Sequence, residues 1–398
     1  MSQQLINHNS DLLRLQEDGY ELDIISGHIV VRNVPYVTQR KAIKRADLVS
    51  TLTLSADQTQ RPDTHVAMFT GELPCNSKGE PLHKIINSSS TQSLGGKLVI
   101  THSFSSKPKV GYYMDYYEKM STYCSIIANE AAVIVPDVTA RVRRVVADED
   151  IKSPFVYLDT GSSRAGIGEL AEKLAGERLV IIGVGGTGSY VLDQAAKTPA
   201  ERIDIIDGDD FLQHNAFRAP GGASLGALRE RPKKVDYLAG IYSNMHRQII
   251  PHSVRMLPDS FHLLADATFV FLCLDSGLEK AAIVAELERL NLPFIDVGMG
   301  LHMTDGSLVG QLRVTTSTPS MREQVHLKDR IPFDSNGLDN VYARNIQVAD
   351  LNMMNAALAI VRWKRFRGFY KDLESEHFSL FTIDGNHLLN EDFIGEAA

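Results

Sequence analysis

Four glycines fall within six positions in Gly183-Val184-Gly185-Gly186-Thr187-Gly188, after the apolar run Arg178–Ile182 and before a helix-like stretch reaching Lys197. In that context Gly183, Gly185, Gly186 and Gly188 let backbone approach a ligand closely, and a helix N-terminus offers unpaired N–H groups and a positive partial charge. The chemistry expected is phosphate binding; the structural alternative is a tight turn needing glycine for geometry alone. Asp207 follows at the distance of a ribose-holding carboxylate, with Asp209 beside it. Glycines and aspartate together do not separate a dehydrogenase from other nucleotide users.

The next residues do. Asn215 and Arg218 stand three apart in the loop after the second apolar run, where a dehydrogenase has no general need of them. An Arg fork can hold phosphoryl oxygens and offset charge that builds during transfer. Arg231-Pro232-Lys233-Lys234 adds ammonium groups ahead of another helix, and Leu274-Asp275-Ser276 puts a carboxylate at the end of an apolar strand, a useful place for a Mg²⁺ ligand. Singly, each has an ordinary alternative: Arg218 and Lys233 as solvated charges, Asp207 as a strand terminator.

These residues need elements to position them, and the pattern supplies strand and helix in alternation. Arg178–Ile182, Arg202–Ile206, Phe269–Leu274 and Pro293–Gly298 are short apolar strands, with helices expected after the glycine turn and over Lys280–Leu290. This predicts a doubly wound, Rossmann-like α/β domain. Beyond it come a hairpin strand at Ser307–Val314, a loop-rich stretch to Tyr342 and an amphipathic helix over Ile346–Phe369. Upstream, a small α+β domain is expected, with strands at Asp23–Val31, Leu48–Leu54, His65–Thr70 and Lys97–Phe104 and a helix within Tyr112–Ala132. A connection rich in Asp, Ser and Gly divides residues 1–155 from residues 156–398.

The ordered set GVGGTGS, IDIIDGDDFLQHNAFR, RPKKV, FLCLDS and LPFIDVGMG, over roughly residues 165–315, resembles the ThiF/MoeB/HesA adenylyltransferases, bacterial relatives of ubiquitin-activating enzymes. The resemblance implies Mg-ATP binding and adenylation of the C-terminal glycine of a ubiquitin-like or sulfur-carrier protein, with release of pyrophosphate. It places Gly186 in the phosphate turn, gives Asp207 the ATP ribose, Asn215 and Arg218 the phosphates, Lys233 in preference to Lys234 the α-phosphate, and Asp275 the Mg²⁺. It also implies a homodimer, and a conjugating-type partner is a further candidate. The N-terminal stretch THVAMFTGELPCNSKGEPL resembles the meander of a degenerate ubiquitin-conjugating fold.

There are departures. Asn215-Ala216-Phe217-Arg218-Ala219 lacks the Gln that usually ends this family motif, and the paired C-x-x-C motifs of many members are missing, so no zinc is expected. Cys75, Cys124 and Cys273 are the three cysteines; of these, Cys75 in the turn-like GELPCNSKG is the preferred candidate for any thioester, Cys273 being set in an apolar strand. Arg164 lies where relatives carry an Arg upstream of the first core helix, and Asp296 and His302 flank the Val297–Gly300 crossover expected to line a tail channel, a structural role being the alternative.

Composition frames these expectations. The 398 residues carry 41 Lys+Arg against 49 Asp+Glu, a net charge of −8, and 43% hydrophobic residues. That suits two or three packed units and argues against a protein devoted to nucleic acid or anionic lipid. The first residues lack a signal-peptide profile, no run is long and apolar enough for a membrane span, and a cytoplasmic, bacterial protein is expected.

Overall fold

The computed structural model describes residues 2–143, 153–275, 277–333 and 346–393. Residues 148–152 of the expected connection, Ser276 of the Leu274-Asp275-Ser276 motif and the expected loop beyond residue 333 lie outside them. The chain forms two compact units, Met1–Lys152 with Tyr157–Glu172, and Ser153–Val156 with Lys173–Ala398. Tyr157–Glu172 thus belongs to the first unit, although the sequence pattern places it in the second. Local bonds explain why: Glu172 accepts from Gly96 N–H, and Arg164 pairs with Asp63 at 3.4 Å.

In the first unit, helices α1 (Ser2–His8) and α2 (Ser10–Glu17) precede strands β1 (Leu22–Ile25), β2 (His28–Val37) and β3 (Ile43–Thr51). A small ribbon, β4 (Leu54–Ser55) with β5 (Gln58–Thr59), leads to β6 (Val66–Phe69), β7 (Ile86–Ser93) and β8 (Val99–Ser105); α3 (Tyr116–Ile134), α4 (Thr160–Ala165) and α5 (Gly168–Glu172) complete it. The sheet is antiparallel, in the order β1-β2-β3-β6-β8-β7. The single strand expected at Asp23–Val31 is broken by a two-residue hairpin turn, Ser26 and Gly27 both having positive φ (45° and 73°). Asp115 caps α3 by accepting from Glu118 N–H. Tyr116, Met120, Tyr123 and Ile127 then recur at three or four residues and bury completely among Val31, Leu48, Phe69 and Phe104. Each such side chain contributes roughly 1.5–3 kcal/mol of burial.

The second unit runs β9 (Arg178–Ile182), α6 (Gly186–Ala195), β10 (Arg202–Ile206), α7 (Gln213–Ala216), α8 (Leu225–Glu230), α9 (Lys234–Tyr242), β11 (Ile249–His252), β12 (Phe269–Leu272) and α10 (Gly277–Arg289). It ends with β13 (Phe294–Thr304), β14 (Ser307–Ser317), α11 (Glu323–Leu327), α12 (Ala349–Phe366), β15 (Glu376–Thr382) and β16 (His387–Phe393). The sheet order is β11-β10-β9-β12-β13-β14-β15-β16, parallel through β13 and antiparallel beyond. This is the doubly wound, Rossmann-like α/β arrangement. Alternate residues of one strand serve opposite cores: Leu179 and Ile181 join α6, α9 and α12, whereas Val180 and Ile182 join α10. Order reverses between β9 and β12, so the crevice above their C-terminal ends is where such sheets bind ligands. Among the described residues, no helix is long and apolar enough to cross a membrane.

Candidate functional site

The glycine turn occupies that crevice, and its four glycines have different reasons to be glycine. Gly183 has φ +85°, and a Cβ there would sit 2.7 Å from the Cys273 carbonyl oxygen. At Gly188 a Cβ would lie 1.9 Å from the Gly183 carbonyl oxygen, so this residue closes the turn on itself. Gly186 is filled from outside: Asn352 Nδ2 lies 2.2 Å and Gln347 Oε1 2.6 Å from its ideal Cβ position. Only at Gly185, which caps α6, does the Cβ direction meet no atom of the described residues within 4 Å. Of the four, Gly185 faces open space beside the helix N-terminus.

After β10, Asp207 turns back under this loop. Its Oδ2 accepts from Val184 N–H at 3.0 Å and its Oδ1 from Asp209 N–H at 2.9 Å. Lys234 Nζ approaches the same two oxygens at 3.4 and 3.5 Å, so the carboxylate is held from three sides. The strap then pairs with the chain entering α9: Lys234 N–H donates to the Asp209 carbonyl, Phe211 N–H to that of Pro232, and the Phe211 ring stacks on Tyr237 at 4.0 Å.

That pairing sorts the two lysines. Lys233, the cap of α9, is directed to Asp210 at 2.8 Å and is half-exposed. Lys234, the first helical residue, is buried, with Nζ 2.7 Å from Asp209 Oδ2 and 3.4 Å from Asp207 Oδ1. The Lys234 hydrogen bond holds the Asp209 carboxyl below its usual range, the Lys234 charge acting in the same sense. The structure therefore brings Lys234, rather than Lys233, to the aspartates of the strand end.

Asn215 and Arg218 lie in and just after α7. Asn215 Oδ1 accepts from Leu212 N–H at 2.8 Å, while its buried Nδ2 finds no hydrogen-bond partner among the described residues. Arg218 Nε is likewise buried without one. Leaving such donors unpaired costs about 1–3 kcal/mol each, which an anionic ligand would recover. Phe217 between them is 78% exposed. Asp275 is exposed after β12 and accepts from Gln347 Nε2 at 3.3 Å. Among the described residues no three His, Cys, Asp or Glu cluster as a metal site. One carboxylate still suits Mg²⁺, which keeps several waters and binds substrate phosphates.

The cysteine expectation fails. Cys75 is 1% exposed, its backbone pairs with Val37 and Pro81, and its thiol donates to the Leu73 carbonyl at 3.5 Å. Burial pushes all three thiols, Cys75, Cys124 and Cys273, above the usual range, the reverse of what a nucleophilic thiolate needs. Asp296 is also structural: fully buried, it pairs with Lys280 and Arg313, each at 2.7 Å, whereas His302 is exposed.

Sequence reasoning missed the contribution of α12. Asn352 and Asn355, three apart and fully buried, reach Thr187 and the Gly298 carbonyl respectively. Polar residues interrupting the apolar stripe of that helix were the available signal.

Residues 10–160 match the family described as Domain of unknown function (DUF6791). The chain is 26% identical over 178 residues to tRNA threonylcarbamoyladenosine dehydratase of Escherichia coli (strain K12), covering 42% of this chain and 63% of that protein, so it spans less than two thirds of that relative's length. Among solved structures, E. coli MccB with ATP is similar at 17% identity over 57% of this chain and 67% of that one, with a TM-score of 0.44. PaaA is similar at 17% identity over 56% and 75%, with a TM-score of 0.39.

Proposed function

We propose that the second unit is an ATP-dependent adenylyltransferase that activates the C-terminal glycine carboxylate of a ubiquitin-like or sulfur-carrier protein. The observation that carries this reading is the pair of buried, unpartnered donors, Asn215 Nδ2 and Arg218 Nε, on the strap that follows Asp207 and its hydrogen bond to the glycine turn. The ordered motifs and the similarity to the dehydratase support it too.

The triphosphate lies on the open side of Gly185 with its charge toward the α6 N-terminus, and Asp207 receives the ribose hydroxyls. Lys234 and Arg218 offset the charge that accumulates as one anion approaches another. A carboxylate oxygen of the tail bonds to the α-phosphorus as the bond to the bridging oxygen breaks, giving an acyl adenylate and pyrophosphate. Asp275 would hold Mg²⁺, which neutralises phosphate charge. Because Cys75 and Cys124 are buried and burial raises the Cys273 thiol above its usual range, onward transfer uses a nucleophile outside this chain.

The test is ATP–pyrophosphate exchange dependent on a small protein ending in glycine. Exchange is lost in Arg218→Ala and Asp275→Ala; persistence in both removes the site assignment. A second reading, favoured by the dehydratase similarity, is activation of a carboxylate on a modified tRNA nucleoside. The net charge of −8 weighs against it. Exchange driven by tRNA instead of a protein tail would establish it. Tight ATP binding without exchange would make the unit a nucleotide-binding interaction module, and a nicotinamide-dependent absorbance change would return it to the oxidoreductases.

A further inference from the structure

The segments that would grip the triphosphate, the glycine turn and the Arg218 strap, have one buried side chain between them. Asn352 of α12 is fully buried. Its Oδ1 accepts from Thr187 Oγ1 at 3.0 Å, inside the glycine turn, and its Nδ2 donates to the Arg218 carbonyl at 3.4 Å. The space a side chain would take at Gly186 is filled by this same amide and by Gln347 Oε1. Gln347, at the entrance to α12, also donates to Asp275. Three positions farther along, Asn355 Nδ2 donates to the Gly298 carbonyl at 3.0 Å.

We infer that Asn352 is a positioning residue for the nucleotide: its amide sets the distance between the glycine turn and the Arg218 strap, and so tunes ATP affinity from a helix that contributes no charge to the phosphates. This rests on the adenylation reading for the identity of the ligand. Gly186, accordingly, is a docking position for α12 rather than a point of phosphate contact.

An amide suits this position because one side must accept and the other donate. Aspartate has nearly the same shape, keeps the acceptor for Thr187 and loses the donor for Arg218. It would set a carboxylate against a carbonyl and add negative charge beside the phosphates. The effect belongs on binding, since the displaced groups grip ATP before any bond changes.

The experiment compares Asn352→Asp with the parent protein in three measurements: ATP dissociation constant, the KM for ATP against kcat in pyrophosphate exchange, and thermal unfolding. A lost charge-assisted contact corresponds to about a tenfold change or more. The expected result is ATP binding at least tenfold weaker and a KM for ATP raised in proportion, with kcat within about threefold; the buried carboxylate also lowers the unfolding temperature, so both proteins are titrated well below it. Thr187→Val, which removes only the acceptor-side bond, gives a smaller loss, about two- to tenfold, and serves if Asn352→Asp does not fold.

Unchanged ATP affinity in the variant that folds, or loss confined to kcat or stability, overturns the inference. The adenylation reading fails separately: a parent that binds ATP but exchanges pyrophosphate with no carboxylate substrate removes that reading, while weakened ATP binding in Asn352→Asp still upholds the positioning role. A parent that does not bind ATP removes both.

Discussion

Two glycines three residues apart in one turn should respond to the same substitution in different ways. In Gly188→Ala the new methyl would lie 1.9 Å from the Gly183 carbonyl oxygen and 3.0 Å from its carbon, both backbone atoms of the same turn. No rotamer relieves such a clash, so the turn must shift at a cost of ~3 kcal/mol or more. For a domain of this size each kcal/mol moves the midpoint by about 2–4 °C, giving a fall of roughly 6–12 °C. Gly185→Ala meets no atom of the described residues within 4 Å, but its backbone, φ −72° with ψ −135°, lies outside the regions alanine favours. Folding stability should fall by about 1–3 kcal/mol of backbone strain, less than in Gly188→Ala. Yet that methyl enters the space in front of α6 where the phosphates are proposed to lie. Forfeiting one charge-assisted N–H bond, about 1.5–3 kcal/mol, weakens ATP binding about 10- to 150-fold. Thermal unfolding without nucleotide and ATP titration by calorimetry read the two effects separately. Parental ATP affinity in Gly185→Ala, or an unaltered midpoint in Gly188→Ala, would refute the division of the turn into an open side and a packed side.

Lys234→Ala should weaken ATP binding about tenfold or more, because it removes the cation held by Asp207 and Asp209, whereas Lys233→Ala, which breaks a half-exposed pair with Asp210, should stay within about twofold; the reverse order in a nucleotide titration would reinstate Lys233. In the first unit, Lys119 is fully buried, donates to Ser50 Oγ at 2.7 Å and the Thr64 carbonyl at 2.9 Å, and has its pKa lowered by burial from 10.5 to about 8. Between those values the unfolded chain holds a proton that the folded chain does not, so stability rises with pH across the window, by ~3 kcal/mol in all, and below about pH 8 the full burial penalty is present. Denaturant unfolding of the parent and Lys119→Met at pH 8 and pH 10 isolates this contribution; a difference between the two proteins that does not change with pH would contradict it.

What the sequence made legible was what burial and backbone geometry impose locally. RLVII and RIDII are uniformly apolar because parallel strands bury both faces, and the glycine turn between β9 and α6 follows from a close backbone approach. The stripe Tyr116, Met120, Cys124, Ile127 was readable because a helix repeats its buried face every three to four residues. The strand β7 was not, since INSSSTQS is a polar edge strand whose ladder depends on β8 rather than on its own pattern. Which of Lys233 and Lys234 approaches Asp207 and Asp209 depends on where α9 begins, a matter of one residue that follows from the pairing of the strap. Cys75 misled because Gly, Pro and Asn around it suggest an exposed turn, while two backbone bridges fold that turn inward. Asn352 acts across more than 130 positions of chain, on Thr187 and Arg218, and no local pattern carries such a contact.

The charges of the candidate site lead to a final prediction. Among the proposed site residues, Asp207 and Asp209 are carboxylates held by Lys234, Asp275 is a third carboxylate and Arg218 a second cation, while Lys233 is matched by Asp210. A tetraanionic triphosphate entering this set would meet no net positive charge from these five residues, so the α6 N-terminus and the unpaired donors of Asn215 and Arg218 would work against their field. A divalent cation would reverse the balance, with Asp275 then serving as a ligand instead of a repulsive neighbour. Two consequences follow in opposite directions. Chelation of divalent ions should weaken ATP binding at least about tenfold in the parent protein. Asp275→Asn should weaken binding when Mg²⁺ is present, yet leave it equal or tighter than the parent when Mg²⁺ is withheld, because the substitution removes a negative charge. Calorimetric titration of both proteins with and without Mg²⁺ yields the four constants. Equal weakening by Asp275→Asn in both conditions would mean that Asp275 acts through its contact with Gln347 rather than through the metal.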